Sequence, residues 1–154
     1  MDTNAPVVKM ITIQEPLVAV GKTFMGDYAR SHFYITEVQD ELKKAAVPFI
    51  PNKVMGIYYD NPQQKKAEEL VSFQGLFIRN EKVAIPSAFN KMSLSGGYLY
   101  VKITGEPMKA IYSGYEALFK YIQENNVKLK SPAGYQVSTF ENGIITTEIY
   151  MEIG

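Results

Sequence analysis

The sequence predicts an α+β fold in which an antiparallel sheet carries two long helices on one face. Short segments rich in β-branched and aromatic residues predict strands, and two segments with apolar residues at helical spacing predict amphipathic helices. The order strand, helix, strand, strand occurs twice along the 154 residues. We therefore expect a single domain over residues 1–154, made of two pseudo-repeats over about 7–80 and 81–153, with a central ligand cleft between them.

The first repeat is expected to contain a strand, a helix, a short strand, a polar loop and another strand, over residues 7–23, 27–45, 54–59, 60–66 and 71–78. The first strand should be kinked or bulged near Pro16, because proline cannot donate a hydrogen bond to a sheet. The helix has Ile35, Val38 and Leu42 on one face, and Asp27 is placed to cap its start.

The second repeat is expected to follow the same order, with a possible strand, a turn, a strand, a helix and two final strands, over residues 82–85, 95–97, 98–103, 107–125, 135–140 and 144–153. Pro107 fits the first position of the helix, where its missing N–H is not needed. The pair Asn142-Gly143 predicts a hairpin between the last two strands. Gly56 aligns with Gly134, 78 residues later, which supports a duplicated unit.

Charge and composition argue against several classes of function. The 16 Lys and Arg balance the 16 Asp and Glu, so the concentrated positive surface that nucleic-acid binding requires is not expected. We expect no membrane association, because no apolar run reaches the roughly 20 residues of a membrane helix. With no cysteine and one histidine, we expect no metal site and no cofactor. The N-terminal residues do not resemble a secretory signal, so we expect a cytoplasmic protein.

The composition is unusual in having 11 Tyr and 8 Phe with no Trp. In the strands over 98–103 and 144–153, aliphatic residues alternate with tyrosine and glutamate, so the two sets face opposite sides. If the aliphatic residues lie under the helices, the other set lines the cleft, and an aromatic cavity with few polar groups is typical of small-molecule sites. The candidate ligand-binding residues are Tyr58, Tyr98, Tyr100, Gln136, Glu148 and Tyr150.

The alternative is that the tyrosines only cover a half-buried sheet surface, where they are good strand formers. In that case Glu148 is a solvated strand residue. A shift of one residue in strand register would exchange the two faces, so the pattern alone leaves both interpretations open.

Four segments of the sequence resemble motifs of the GyrI-like effector-binding family. They read MGIYYDNP over 55–62, SGGY over 95–98, TGEP over 104–107 and TEIYMEI over 147–153, and the similarity extends from about residue 7 to 153. The resemblance implies two repeated strand–helix–strand–strand modules and a pocket for small, hydrophobic, often cationic or planar compounds. Members of this family occur as effector domains of AraC-type and MerR-type regulators, as gyrase-modulating proteins and as stand-alone proteins. Some stand-alone members hydrolyse cyclopropane-containing alkylating compounds.

One position departs from the family pattern. The resemblance places Gln136 where many members carry a pocket glutamate. An amide can neither hold a cation by charge nor act as an acid or base. We therefore expect a weaker preference for cations than acidic relatives show.

The leading interpretation is a stand-alone small-molecule-binding protein, related to transcription regulators and to multidrug binding, that takes hydrophobic or aromatic ligands into the cleft. One alternative is a hydrolase of cyclopropane-containing alkylating compounds, with Glu148 orienting water and a tyrosine donating a proton. Another is an interaction protein that modulates gyrase or partners a DNA-binding regulator. No catalytic residue is assigned, and the sequence indicates no oligomeric state.

Overall fold

The structure, a computed structural model, describes residues 6–79 and 82–154 of the chain. Its helices and strands, in chain order, are β1 (Lys9–Met25), α1 (Ser31–Lys44), β2 (Lys53–Tyr58), β3 (Val71–Ile78), β4 (Asn90–Thr104), α2 (Pro107–Asn125), β5 (Gly134–Glu141) and β6 (Ile144–Glu152). Short 3₁₀ turns precede α1 over Tyr28–Arg30 and β3 over Ala67–Glu69. The described elements thus run strand, helix, strand, strand twice.

The described strands close into a barrel in the order β1-β3-β2-β5-β6-β4, and every neighbouring pair is antiparallel. The expected antiparallel sheet with two helices is confirmed. Strands from different halves pair with each other along both seams, so the two halves share one barrel wall, and the central ligand cleft expected between them stays a prediction. β2 pairs with β5 from Lys53 opposite Thr139 to Tyr58 opposite Gly134, and β1 pairs with β4.

Alternate residues of each strand face the barrel interior, and the others face outward. Buried residues that pack together inside the barrel form the interior cluster, whose members on the strands are Ala19, Met55, Ile57, Phe73, Phe77, Leu94, Tyr98, Val137 and Tyr150. Outside the barrel, Val38 and Leu42 of α1 pack with Leu76 in the α1 cluster. Leu118 of α2 packs with Ile149 in the α2 cluster. Both helices therefore cover the outer face of the barrel and leave its inner face to the strands.

The predicted turn over 95–97 lies inside β4 instead. At this point the ladder between β1 and β4 shifts register between Ile13 and Leu17, so the expected kink near Pro16 is present as a bulge. Gly96 has a φ of 92°, which a glycine adopts without strain. The strand therefore bends opposite the bulge and continues, instead of reversing.

The possible strand predicted over 82–85 is not formed. Val83 and Ile85 pack their side chains against the α1 cluster. The alternating apolar residues of this segment thus reflect packing on side chains and not pairing in the sheet.

The helix signals in the sequence lie where they were expected. Asp27 Oδ1 accepts a hydrogen bond from the N–H of Ala29 at 3.0 Å and caps the 3₁₀ turn that leads into α1. Pro107 begins α2, and the Glu106 side chain accepts hydrogen bonds from two backbone N–H groups of its first turn. Asn126 ends α2 in the left-handed conformation. Within the described residues, no helix combines the length and apolar character that crossing a membrane requires.

Candidate ligand-binding site

Three tyrosines lie side by side on the inner wall of the barrel. Tyr150 of β6 is directly opposite Tyr100 of β4 and Tyr135 of β5 in the two ladders. We call Tyr100, Tyr135 and Tyr150 the tyrosine row. The ring centroids of Tyr100 and Tyr150 are 5.0 Å apart, and the Tyr98 ring meets the rings of Tyr150 and Tyr135 edge-on at 5.7 and 6.2 Å. At these distances the four rings attract one another.

Glu148 places a carboxylate beside the tyrosine row. It lies two residues before Tyr150, so both side chains point to the same side of β6. The Tyr100 hydroxyl donates a hydrogen bond to Glu148 Oε2 at 2.5 Å, and the Tyr150 hydroxyl donates to the same oxygen at 3.2 Å. Because both bonds end on Oε2, the other carboxylate oxygen can accept a hydrogen bond from a ligand.

The surroundings keep these tyrosines protonated. Burial raises the pKa of Tyr100 and of Tyr150, and the hydrogen bond and negative charge of Glu148 raise both further. Burial also raises the pKa of Tyr98 and of Tyr135. At neutral pH the hydroxyls of Tyr100 and Tyr150 therefore act as hydrogen-bond donors to the carboxylate, and both are weak acids.

Protein side chains fill the centre of the site. Tyr98 is 2% exposed and Tyr150 is 5% exposed, whereas Tyr100, Tyr135 and Glu148 are half-buried. The backbone N–H of Ser95 donates to the Tyr98 hydroxyl at 3.0 Å and holds that ring in place. The site is thus a surface on which three half-buried side chains meet solvent above a buried aromatic floor.

The structure brings four of the six predicted residues together inside the barrel, namely Tyr98, Tyr100, Glu148 and Tyr150. The other two, Tyr58 and Gln136, face outward toward the helices. The Tyr58 hydroxyl donates to Ser31 Oγ at 3.2 Å, and Gln136 Nε2 donates to the Tyr115 hydroxyl of α2 at 3.1 Å. Tyr58 and Gln136 therefore do not lie with the other four. In β2 the inward-facing neighbour is Ile57, and in β5 the inward-facing neighbours are Tyr135 and Val137.

Tyr135 is the residue of the site that the sequence interpretation missed. The offset between the repeats pairs Gln136 with Tyr58, and the family resemblance places Gln136 at a pocket glutamate. Both arguments therefore select Gln136, the residue next to Tyr135. The alternation within β5 does not separate Tyr135 from Gln136, because both faces of this strand carry polar residues. Val137, two residues after Tyr135, is 1% exposed and belongs to the interior cluster, so an apolar set in β5 faces inward.

Stability is expected to fall as the pH rises above 10. Burial raises the pKa of Tyr115 to about 12, above the ordinary value of 10.0 that we assign to the unfolded chain. Between these values the folded chain keeps a proton that the unfolded chain has lost, so this contribution to stability is complete below pH 10 and decreases toward pH 12. The midpoint of urea unfolding, followed from neutral to alkaline pH, measures the effect.

The variant Tyr115→Phe should make the midpoint of unfolding less sensitive to alkaline pH. Tyr112→Phe is the matched control, because Tyr112 lies on the same helix and is exposed. Equal pH dependence in Tyr115→Phe and in the unchanged chain would contradict the assignment to Tyr115.

The fold of the chain is similar to that of several solved structures. The C-terminal domain of EcmrR has a TM-score of 0.71 and 14% sequence identity over 97% of this chain and 98% of that domain. In the EcmrR–DNA complex, with a TM-score of 0.73 and 15% identity, the similarity covers 97% of this chain but only 57% of the EcmrR chain.

Two further structures share the fold. SAV2435, solved with bound tetraphenylphosphonium, has a TM-score of 0.59 and 14% identity over 96% of this chain and 94% of its own. A hydrolase from Listeria innocua has a TM-score of 0.61 and 8% identity over 99% of this chain and 94% of its own. No family model matches the sequence, and no curated protein does. The comparisons therefore establish the fold, which is that of the EcmrR C-terminal domain and is consistent with the resemblance to GyrI-like domains.

Proposed function

We propose that the chain binds a small aromatic molecule at the tyrosine row, with Glu148 contacting the polar or positively charged part of that molecule. The observation that carries this proposal is a carboxylate whose Oε2 accepts two tyrosine hydroxyls on a wall of aromatic rings. Faces of tyrosine rings attract cations, and the attraction increases where water is excluded. The likeness in fold to SAV2435, which was solved with tetraphenylphosphonium, supports the same class of ligand.

The position of Glu148 changes the expected preference for charge. The weak preference for cations expected from the sequence depends on Gln136, which contacts Tyr115 of α2 on the outer face. Glu148 supplies the negative charge on the inner face instead. A half-buried carboxylate favours a cation over a neutral molecule of the same shape, so we propose a preference for cationic aromatic ligands.

Entry of a ligand into the barrel interior at this site requires side chains to move. Tyr98 and Tyr150 are buried in the interior cluster, so a bulky ligand must displace a ring to reach the barrel interior. This rearrangement costs free energy, so only a fraction of the molecules is open to the ligand. The smaller that fraction is, the weaker the apparent affinity becomes. We therefore expect association to be slower than diffusion allows and to change the tyrosine fluorescence.

Titration with tetraphenylphosphonium and with uncharged triphenylphosphine oxide tests the proposal. Both molecules carry phenyl groups on phosphorus; the oxide is uncharged and has an oxygen in place of one phenyl group of the cation. We expect the cation to bind about tenfold more tightly, as measured by isothermal titration calorimetry, and its affinity to decrease as salt is added. Absence of binding by both molecules would contradict the binding site, and equal affinity would contradict the role of Glu148.

A hydrolase is the second candidate function. Glu148 and Tyr100 are hydrogen-bonded at 2.5 Å and could orient a water molecule, and one protein of similar fold is described as a hydrolase. The raised pKa of Tyr100 makes its hydroxyl a poor proton donor, so we favour binding without hydrolysis. Incubation with a cyclopropane-containing alkylating compound, followed by mass spectrometry, separates the two. A water adduct that disappears in Glu148→Gln would support the hydrolase, and an unchanged compound would support binding alone.

A further inference from the structure

A cavity of about 600 Å³ opens on a different side of the barrel from the tyrosine row. It lies where β1 bulges, β2 begins and β3 ends, and we call it the β1–β3–β2 cavity. In the closed order of strands, β1, β3 and β2 lie across the barrel from β4, β6 and β5, which carry the tyrosine row. No residue that lines this cavity is among the six candidate residues from the sequence.

The β1–β3–β2 cavity combines an apolar floor with a basic rim. Leu17, Ile50 and Phe77, which all pack in the interior cluster, form part of its lining. The charged residues that line it, among those the structure describes, are Lys53, Arg79, Lys82 and Glu15. Lys53 and Arg79, the two basic residues on which the binding argument depends, each bring a positive charge to this lining.

Lys53 fixes one positive charge above the floor. Its Nζ lies 4.9 Å from the centroid of the Phe77 ring, which is within the range of a cation–π contact. Lys53 is also the first residue of β2 and pairs with Thr139 of β5, so its backbone is held by the sheet. A molecule whose apolar part packs on Phe77 would therefore bring an attached acid group close to the Lys53 ammonium.

We propose that the β1–β3–β2 cavity binds a small amphipathic carboxylate. Its aromatic or aliphatic part packs against Leu17, Ile50 and Phe77, and its carboxylate is held between Lys53 and Arg79. The cavity volume is within the range of roughly 300 to 1,000 Å³ that ligand sites occupy. This site is independent of the proposed function at the tyrosine row, where Glu148 favours the opposite charge.

Binding of 1-pyrenebutyrate, compared with the uncharged 1-pyrenebutanol, tests the proposal by fluorescence titration. The two probes share the apolar part and differ in the carboxylate. We expect Lys53→Gln and Arg79→Gln each to weaken binding of pyrenebutyrate by about fivefold, and the double variant to weaken it by about twentyfold. Binding of pyrenebutanol should be unchanged in all three variants.

Two controls locate the site. Lys120→Gln removes an exposed positive charge from α2 and should leave binding of pyrenebutyrate unchanged. Glu148→Gln alters the tyrosine row and should also leave it unchanged, so failure of this proposal can be distinguished from failure of the proposed function. Equal affinity for the two probes, undiminished binding in the double variant, or loss of binding in Glu148→Gln would each overturn the proposal.

Discussion

Replacing Gly21 by alanine is expected to lower the free energy of unfolding by about 3 kcal/mol or more. Gly21 of β1 lies directly opposite Gly75 of β3 in the barrel wall. A Cβ at position 21 would lie 2.0 Å from the carbonyl oxygen of Gln74 and 2.6 Å from Cα of Gly75. Both contacts are with backbone atoms, so they can be relieved only by separating β1 from β3. Urea unfolding followed by circular dichroism measures the change.

Gly97→Ala is the matched control for this experiment. Gly97 also lies in a barrel strand, but an added Cβ would meet only the Ile153 side chain, at 3.4 Å. We expect Gly97→Ala to change the free energy of unfolding by less than about 1 kcal/mol. A Gly21→Ala variant as stable as Gly97→Ala would contradict the close approach of β1 and β3.

Replacing Glu148 by glutamine is expected to weaken binding of tetraphenylphosphonium by about tenfold and to leave binding of triphenylphosphine oxide within about twofold. The substitution keeps the size of the side chain and removes its charge. The raised pKa values of Tyr100 and Tyr150 should fall at the same time, because both depend in part on the carboxylate. Calorimetric titration of the variant and of the unchanged chain with each phosphorus compound measures the affinities.

Glu116→Gln provides the control for charge, because Glu116 is an exposed acid on α2, outside the barrel. The Glu116→Gln variant should bind tetraphenylphosphonium and triphenylphosphine oxide with the same affinities as the unchanged chain. If Glu116→Gln and Glu148→Gln lose the same affinity for the cation, the effect comes from total charge and not from the tyrosine row.

The helices and the last hairpin could be predicted because their signals are local. The turn between β5 and β6 needs two residues with positive φ, and Asn142 and Gly143 have φ values of 52° and 76°. Closure of the barrel could not be predicted in this way. It depends on pairing between strands far apart in the sequence, and the same alternation of side chains is compatible with an open sheet and a cleft.

The candidate site could be predicted only in part, for a similar reason. In β4 and β6 the aliphatic set is unmistakable, so the inward direction of Tyr98, Tyr100 and Tyr150 follows from alternation once α2 covers the other face. In β5 both faces carry polar residues, and the pattern does not say whether Tyr135 or Gln136 faces inward. The ladder with β2 determines which of the two faces inward. It places Tyr135 opposite Ile57, which belongs to the interior cluster, and Gln136 opposite Gly56.

The first strand has a consequence for any protein that would associate with this chain. β1 is hydrogen-bonded to β3 on one side and to β4 on the other, and each of the remaining described strands likewise has two partners. The two ladders overlap over Val18–Gly21, so this part of β1 offers no edge to which an extended peptide could be added. A protein that associates with this chain by adding a strand to the sheet must therefore do so outside that stretch.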